Sequence, residues 1–359
     1  QLNSIDRDTL SCPAKQLDFV MPPSPKPLHR IARGLAHTFF VLMLALATAW
    51  AALALWFQLS GALRLLAFAL LGMACLATLI LRFQNRRKAW ATFALSAVLV
   101  GAWYQTIHPR QDRDWQPEVA HGVTADINGP VVTLHNIRNF NWTSETEAVP
   151  DWQTLTVNLD QLTGLDMFTS TWGNPDIAHL IVSFGFADGQ HVAFSVEIRK
   201  EVGETYSTLG GFFRKYELVL IGAQENDVVR VRTNMRHEDV HIFPVALPAD
   251  KQRDLFLQFV GLGNQLAEKA KFYNTITANC TSTVFLLVRT FQPNLPLDRR
   301  IILSGRLPEY IDEMGGLQGD APMDQRRAEG AITARAQTIG AEQDFSTFIR
   351  GDGTATASN

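Results

Sequence analysis

The residues of this chain best suited to covalent chemistry lie in FYNTITANCTSTVFLLVRTF, residues 272–291. Asn279, Cys280, Thr281, Ser282 and Thr283 precede an apolar run that ends near Pro293. That order reads as a helix start, where hydroxyl and amide side chains meet the free N–H groups of the first turn. A thiol placed there is open to three readings: a small buried hydrophobe, half of a disulfide, or an activated nucleophile. The third requires a positive helix end or a nearby imidazolium, because a thiolate attacks far better than a thiol.

The part of the chain after residue 105 offers His121, His135, His179, His191, His237 and His241 as partners for the thiol. Two strand-like stretches, IAHLIVSFGF (177–186) and HVAFSVEIRK (191–200), flank the loop ADG and narrow the choice. Leu180, Val182, Phe184 and Phe186 alternate in the first, and Val192, Phe194, Val196 and Ile198 in the second. Facing strands must present these sets on one side, so residues of equal parity pair. A three-residue loop with Gly189 at positive φ gives that register. Phe186 then faces Gln190, and His179 faces Glu197 on the polar side of the hairpin, while His191 falls at the loop end. Glu197 could orient the His179 imidazole and stabilise its protonated form, completing a Cys-His-acid set. The alternative is an ordinary cross-strand polar pair on a solvated face.

These residues follow an N-terminal region of different character. Overall the 359 residues carry a net charge of −3 and a mean hydropathy of zero, an average that conceals two unlike halves. Three stretches, starting at Leu35, Leu63 and Trp90, are nearly free of charge, and the first two approach the roughly 20 residues that cross a bilayer. The third is shorter and closed by Trp103 and Tyr104. Such all-round apolar runs have no polar face to show water. Lys26, Arg30 and Arg33 precede the first stretch, and Arg82, Arg86, Arg87 and Lys88 fill the loop between the second and third. The positive-inside rule puts these on the cytoplasmic side, and three crossings export everything after about residue 105, into the periplasm of a Gram-negative bacterium. The expected organisation is a cytoplasmic segment (1–34), three transmembrane helices (35–104), an exported domain (105–323) and a flexible, polar C-terminal tail (324–359). The polar segment before Met21 reads as disordered or as a start-site artefact. Cys12 would be cytoplasmic, Cys75 within the second span and Cys280 alone outside, so no intramolecular disulfide can form.

The exported domain reads as α+β, a mostly antiparallel sheet carrying the cysteine helix. Strands are expected at VVTLHNI, WQTLTVNL, ELVLIG and VHIFPVAL, and an amphipathic helix after Pro248. Neither a glycine-rich phosphate loop nor a paired CxxC is found, and no metal or other cofactor is expected. His237 and His241 are four apart but bracket a strand, without the acidic residue of a zincin. With no strongly basic stretch in this domain, nucleic acid is an unsuitable partner.

HNIRNFNW (135–142), IAHLIVSFGF, AFSVEIRKEVGETYS (193–207), FRKYELVLIGAQEND (213–227) and FYNTITANCTS (272–282) together resemble the Lnb-type periplasmic domain family over roughly residues 115–320. That family resembles circularly permuted papain-like enzymes, in which the histidine strand precedes the cysteine helix, an order shared with lecithin-retinol acyltransferase. The resemblance implies N-acylation of bacterial lipoproteins: an acyl chain moves from a phospholipid to the lipoprotein's N-terminal amine through a Cys280 thioester. His179 would be general base and acid, and Glu197 the orienting group. Arg199 and Arg214, with Arg230 and Arg232, are candidates for lipid phosphate, against the alternative of ion pairing with Glu201, Glu217, Glu225 and Asp227. Tyr273, Asn274 and Asn279 are expected to shape the loop around the nucleophile. The membrane segments here precede the domain, whereas they follow it in the family's lipoprotein acyltransferases. Two further readings are a periplasmic cysteine peptidase, amidase or lipid hydrolase, and a non-catalytic envelope binding module with an inert thiol.

Overall fold

The computed structural model describes residues 27–351. Cys12, Lys26 and the polar segment before Met21 lie outside the described residues. Three helices lead the chain: α1 (Pro27–Gln58), α2 (Gly61–Gln84) and α3 (Arg86–Gln105). The chain divides into two compact units, residues up to 52 with 65–100, and residues 53–64 with everything from 101 onward.

The first unit is built around Phe40, which packs edge-on against Trp90 at 4.9 Å and against Phe93 at 6.2 Å. Arg82 lies over the Phe40 ring and donates to the Ala36 carbonyl at 3.1 Å. Most other large apolar side chains point outward, among them Leu42 and Leu46 of α1 and Leu66 and Leu70 of α2. An apolar exterior suits a lipid solvent rather than water. α1 and α2 are long and apolar enough to cross a membrane. α3 is not among them. It forms where expected, but Arg86, Arg87 and Lys88 take up its first turn and leave a shorter apolar length.

The second unit contains strands β1 (Thr124–Asn128), β2 (Val131–Arg138), β3 (Asn141–Trp142), β4 (Ala148–Val149), β5 (Trp152–Asn158), β6 (Leu162–Thr171), β7 (Ala178–Phe186), β8 (His191–Arg199), β9 (Glu217–Ala223) and β10 (Asp239–Pro244). Its helices are α4 (Glu225–Val228), α5 (Ala249–Glu268), α6 (Cys280–Arg289), α7 (Leu307–Glu313), α8 (Met323–Gly330), α9 (Thr333–Ala336) and α10 (Phe345–Arg350). Eight strands form one sheet in the order β1-β2-β9-β8-β7-β6-β10, with β5 also on β2, while β3 and β4 pair separately.

The α+β class holds, but the sheet is mixed rather than antiparallel throughout. β2 and β9 run parallel at Ile137↔Gly222 and Arg138↔Ala223. A parallel pair needs a long crossover, and the chain between β2 and β9, which builds most of the sheet, supplies one. The pairing also follows an irregularity in β2, between Leu134 and Ile137, where Asn136 adopts φ 60°. β7 is buried along its whole length. Leu180, Val182, Phe184 and Phe194 face α5 and α6, with Phe194 stacked on Phe259 at 4.9 Å. Phe168, Ile181, Ala193 and Ile221 form a second core on the opposite side.

That second core corrects the expectation of a flexible tail from residue 324. Up to Gly351 the segment forms α8, α9 and α10, and Ile332, Ala336, Phe345 and Ile349 bury against the sheet. The stretch has few large apolar residues, yet those few sit on one side. Arg350 fixes the end, donating to Asp166 and Glu225, each at 2.7 Å. Residues 352–359 lie outside the described residues. Removing one partner of a buried ion pair costs roughly 3–5 kcal/mol. Arg350→Ala should therefore lower the denaturation midpoint of the purified protein clearly; a midpoint unchanged from wild type would mean that the C-terminal helices contribute nothing to stability.

Candidate active site

Asn279 and Ser282 form the turn that positions the thiol. The Asn279 side chain accepts from the N–H groups of Thr281 (3.0 Å) and Ser282 (2.8 Å), while the Ser282 hydroxyl accepts from the Asn279 N–H at 3.0 Å. This reciprocal capping box leaves Cys280 as the first residue of α6. Its own N–H bonds no other group among the described residues. Asn274 builds the preceding loop, accepting from Ile276 and Thr277 N–H at 3.0 Å each.

The β7–β8 register is the one the apolar alternation demanded. Gly185 faces His191 and Ile181 faces Ser195, Gly189 turns the loop at φ 84°, and the Phe186 N–H donates to the Gln190 carbonyl at 2.9 Å. His179 and Glu197 thereby meet, with Nε2 3.0 Å from Oε1. The pair is not on a solvated face: His179 is 8% exposed and the Glu197 side chain 22%. The start of β7 is clamped by Ser304, which donates to the Ala178 carbonyl at 2.6 Å and accepts from its N–H at 2.8 Å. Gly305 makes this approach possible, since a Cβ there would collide with the Pro175 carbonyl oxygen.

Two residues of this network, Ser195 and Glu238, were not identified from sequence, and a third, Arg232, was a candidate there for lipid phosphate rather than for Glu197. Ser195 stands between the pair: His179 Nε2 donates to its hydroxyl at 2.6 Å, which donates on to Glu197 at 2.7 Å. Its signal was present, a serine two residues from Glu197 on the same side of an otherwise apolar strand. Arg232 donates to Glu197 at 3.2 Å and to Glu238 at 3.1 Å. Neither Arg232 nor Glu238 carried a local signal that linked it to β8, because the chain folds them in from the segment after β9.

With Nε2–H committed to Ser195 and Glu197, the other ring nitrogen is left for the thiol, and His179 and Cys280 lie close enough to shift each other's titration. They arrive from opposite sides of the sheet: Ile181, two residues along from His179, belongs to the second core, whereas α6 packs in the first. The β7–β8 ladder ends at Ile181↔Ser195 while β6–β7 continues to Ala178. At this opening the Leu180 backbone helps to lower the Cys280 thiol.

The charges reinforce one another. Burial and the Arg232 charge both oppose protonation of His179, but the Glu197 carboxylate and the bond to Cys280 outweigh them and push it up to about 9. Burial pushes Glu197 up, and His179, Arg232 and Ser195 hold it far below the usual carboxylate range. Burial likewise raises the Cys280 thiol, whereas its bond to His179, the imidazolium charge and the Leu180 N–H bring it below its ordinary value. These shifts favour the thiolate-imidazolium form of the pair over the neutral one, with a carboxylate behind it.

The remaining expected residues divide. Tyr273 adjoins the site; burial first and then the Cys280 charge push its phenol up, so it stays a donor. Arg199 and Arg214 do not join the cluster. Arg199 donates to the Val119 and Ala120 carbonyls and to Gln111, and Arg214 donates to the Tyr104 and Ile107 carbonyls. The acidic residues expected to pair with the arginines mostly take other partners: Asp227 holds Arg138 at 2.9 Å, and Glu225 holds Arg350.

Residues 148–305 match the family model described as the Lnb N-terminal periplasmic domain. His179, Glu197 and Cys280 all lie within it, and the resemblance read from sequence is borne out over this span, shorter than the 115–320 expected. No curated protein and no solved structure gives a significant match.

Alkylation of Cys280 by iodoacetamide should be half-maximal at a pH below the roughly 8.5 of a free thiol. The imidazolium that lowers it is present below about 9 and lost above it. His179→Ala and Glu197→Gln should therefore slow alkylation most near neutral pH, and the rates should converge with wild type as pH rises through 9. A wild-type profile identical to that of His179→Ala would show that the imidazole does not activate the thiol.

Proposed function

We propose that this chain is a membrane-anchored cysteine acyltransferase that moves an acyl chain from a phospholipid, through a Cys280 thioester, to an amine, with the N-terminus of a bacterial lipoprotein as acceptor. The observation that carries the reading is the placement of Cys280, at a helix start, beside His179, whose Nε2 lies 3.0 Å from Glu197. The match to a periplasmic domain family and the apolar helices ahead of it favour a substrate held in the same membrane. The order of a histidine strand before a cysteine helix supports a permuted papain-like architecture.

In the first half-reaction the Cys280 thiolate attacks the ester carbonyl and a C–S bond forms. The tetrahedral oxyanion is stabilised by the free Cys280 N–H, with the Tyr273 hydroxyl as a second candidate donor. Collapse breaks the ester C–O bond, and the His179 imidazolium gives its proton to the departing alkoxide of the lysophospholipid. In the second, His179 takes a proton from the acceptor amine as it attacks the thioester. The amide C–N bond forms, the C–S bond breaks and the thiolate returns. Glu197, with Ser195, keeps Nε2 protonated and the ring oriented throughout. No step calls for a cofactor.

For topology, α3 is read as a third crossing. Two crossings would return the domain to the side of the basic N-terminal flank, whereas three export it, in keeping with the match to a periplasmic domain family.

Incubated with a defined phospholipid, the detergent-purified wild type should gain a hydroxylamine-labile acyl mass that is absent from Cys280→Ser. His179→Ala should slow its formation by about 10²–10⁴, the range for a general acid-base group. No adduct with a readily alkylated Cys280 would favour a peptidase or amidase, and an inert thiol would favour a binding module. In spheroplasts a membrane-impermeant maleimide should label Cys280 without lysis; labelling only after lysis would overturn the exported topology.

A further inference from the structure

The stripe of α6 that begins at Cys280 continues through Val284 and Val288, residues four apart on one helix face. Below this stripe lies a cavity of about 280 Å³. Leu165 of β6, Val182 of β7, Leu307 and Met314 are among the residues that line it. Leu180 and Thr281 also line it, and the Thr281 hydroxyl lies 3.8 Å from the Cys280 sulfur. The remaining lining is mostly aliphatic or aromatic, with Gln292 and Tyr310 among its few polar side chains, so the cavity suits an apolar chain better than a peptide or a sugar.

We infer that this cavity receives the acyl chain carried on Cys280 and that its depth sets the chain length the enzyme prefers. The inference rests on the proposed thioester chemistry and adds the subsite. With the carbonyl carbon on the sulfur, the chain runs under Val284 and then Val288, one helical turn of about 6 Å for each step of four residues. At about 30 Å³ for each water-sized group, the volume accommodates on the order of ten chain carbons. A side chain enlarged at Val284 blocks the path one turn from the sulfur, and one enlarged at Val288 blocks it two turns away.

The test uses the full chain in nanodiscs of ether lipids, which hold no ester, and p-nitrophenyl esters of two, six, ten and sixteen carbons as probes. Attack forms the C–S bond, breaks the ester C–O bond and releases p-nitrophenolate, read as a Cys280-dependent burst. In wild type the burst rate should climb from two to about ten carbons, by up to roughly fourfold per methylene, and level off beyond. With each variant's own acetyl rate as reference, Val284→Trp should remove most of this climb, and Val288→Trp should stop it at an intermediate length. A flat wild-type profile, or a climb that neither variant alters, would overturn the subsite while leaving the nucleophile intact. Absence of even an acetyl burst in wild type would overturn the thioester chemistry itself, and the subsite with it.

Discussion

The site depends on one register. Only when Ile181 faces Ser195 does His179 fall opposite Glu197. A slip of one residue would turn every side chain of β8 to the other side of the sheet. It would carry Glu197 and Ser195 into the apolar core under α5 and put Phe194 and Val196 among the polar groups. Two independent constraints prevent this: the apolar alternation of both strands, and the turn at Gly189, whose φ of 84° suits glycine. The requirement for a buried core and the requirement for an oriented imidazole are thus met by the same pairing.

A carboxylate held in such surroundings is costly unless every charge near it is answered. Glu197 accepts from Ser195, Arg232 and His179, and Arg232 in turn is shared with Glu238, which accepts from Ser170. The chain of contacts ties β6, β7, β8 and the segment before β10 together around one charge. Replacing such a network with apolar residues is often neutral or stabilising, so fold stability alone gives little reason for it. Its physical consequence is a His179 that keeps its proton up to about pH 9 and a thiol lowered beside it.

Much of this was legible in the sequence, for reasons that differ by element. The hairpin was readable because period-two alternation and a glycine turn are local, and the helix start because Asn279 and Ser282 lie three residues apart. Arg232 and Glu238 could not be reached that way, since their approach to β8 depends on how the chain after β9 folds back. The C-terminal helices were misread because composition averages over positions. Ile332, Phe345 and Ile349 are sparse in a polar stretch, yet each is buried. The same averaging hid the parallel β2–β9 pair, which depends on a crossover and leaves no mark in either strand. Arg199 and Arg214 were candidates by charge alone, and charge does not distinguish a lipid contact from a guanidinium that satisfies backbone carbonyls.

The thiol and the imidazole come from opposite sides of the sheet and meet where the β7–β8 ladder has stopped. That separation lets the two halves of the site have different solvents. The base and its carboxylate sit among charged and hydroxyl groups that can answer a proton's movement, while the nucleophile rises from an apolar helix stripe over an aliphatic cavity. A substrate with an apolar tail and a polar leaving group has that same division within one molecule. It can place its tail on the thiol's side without disturbing the network that holds the base. A wholly polar substrate would leave the cavity to water with few partners there. In the proposed chemistry, the opening in the ladder is where both environments would act on a single carbonyl carbon.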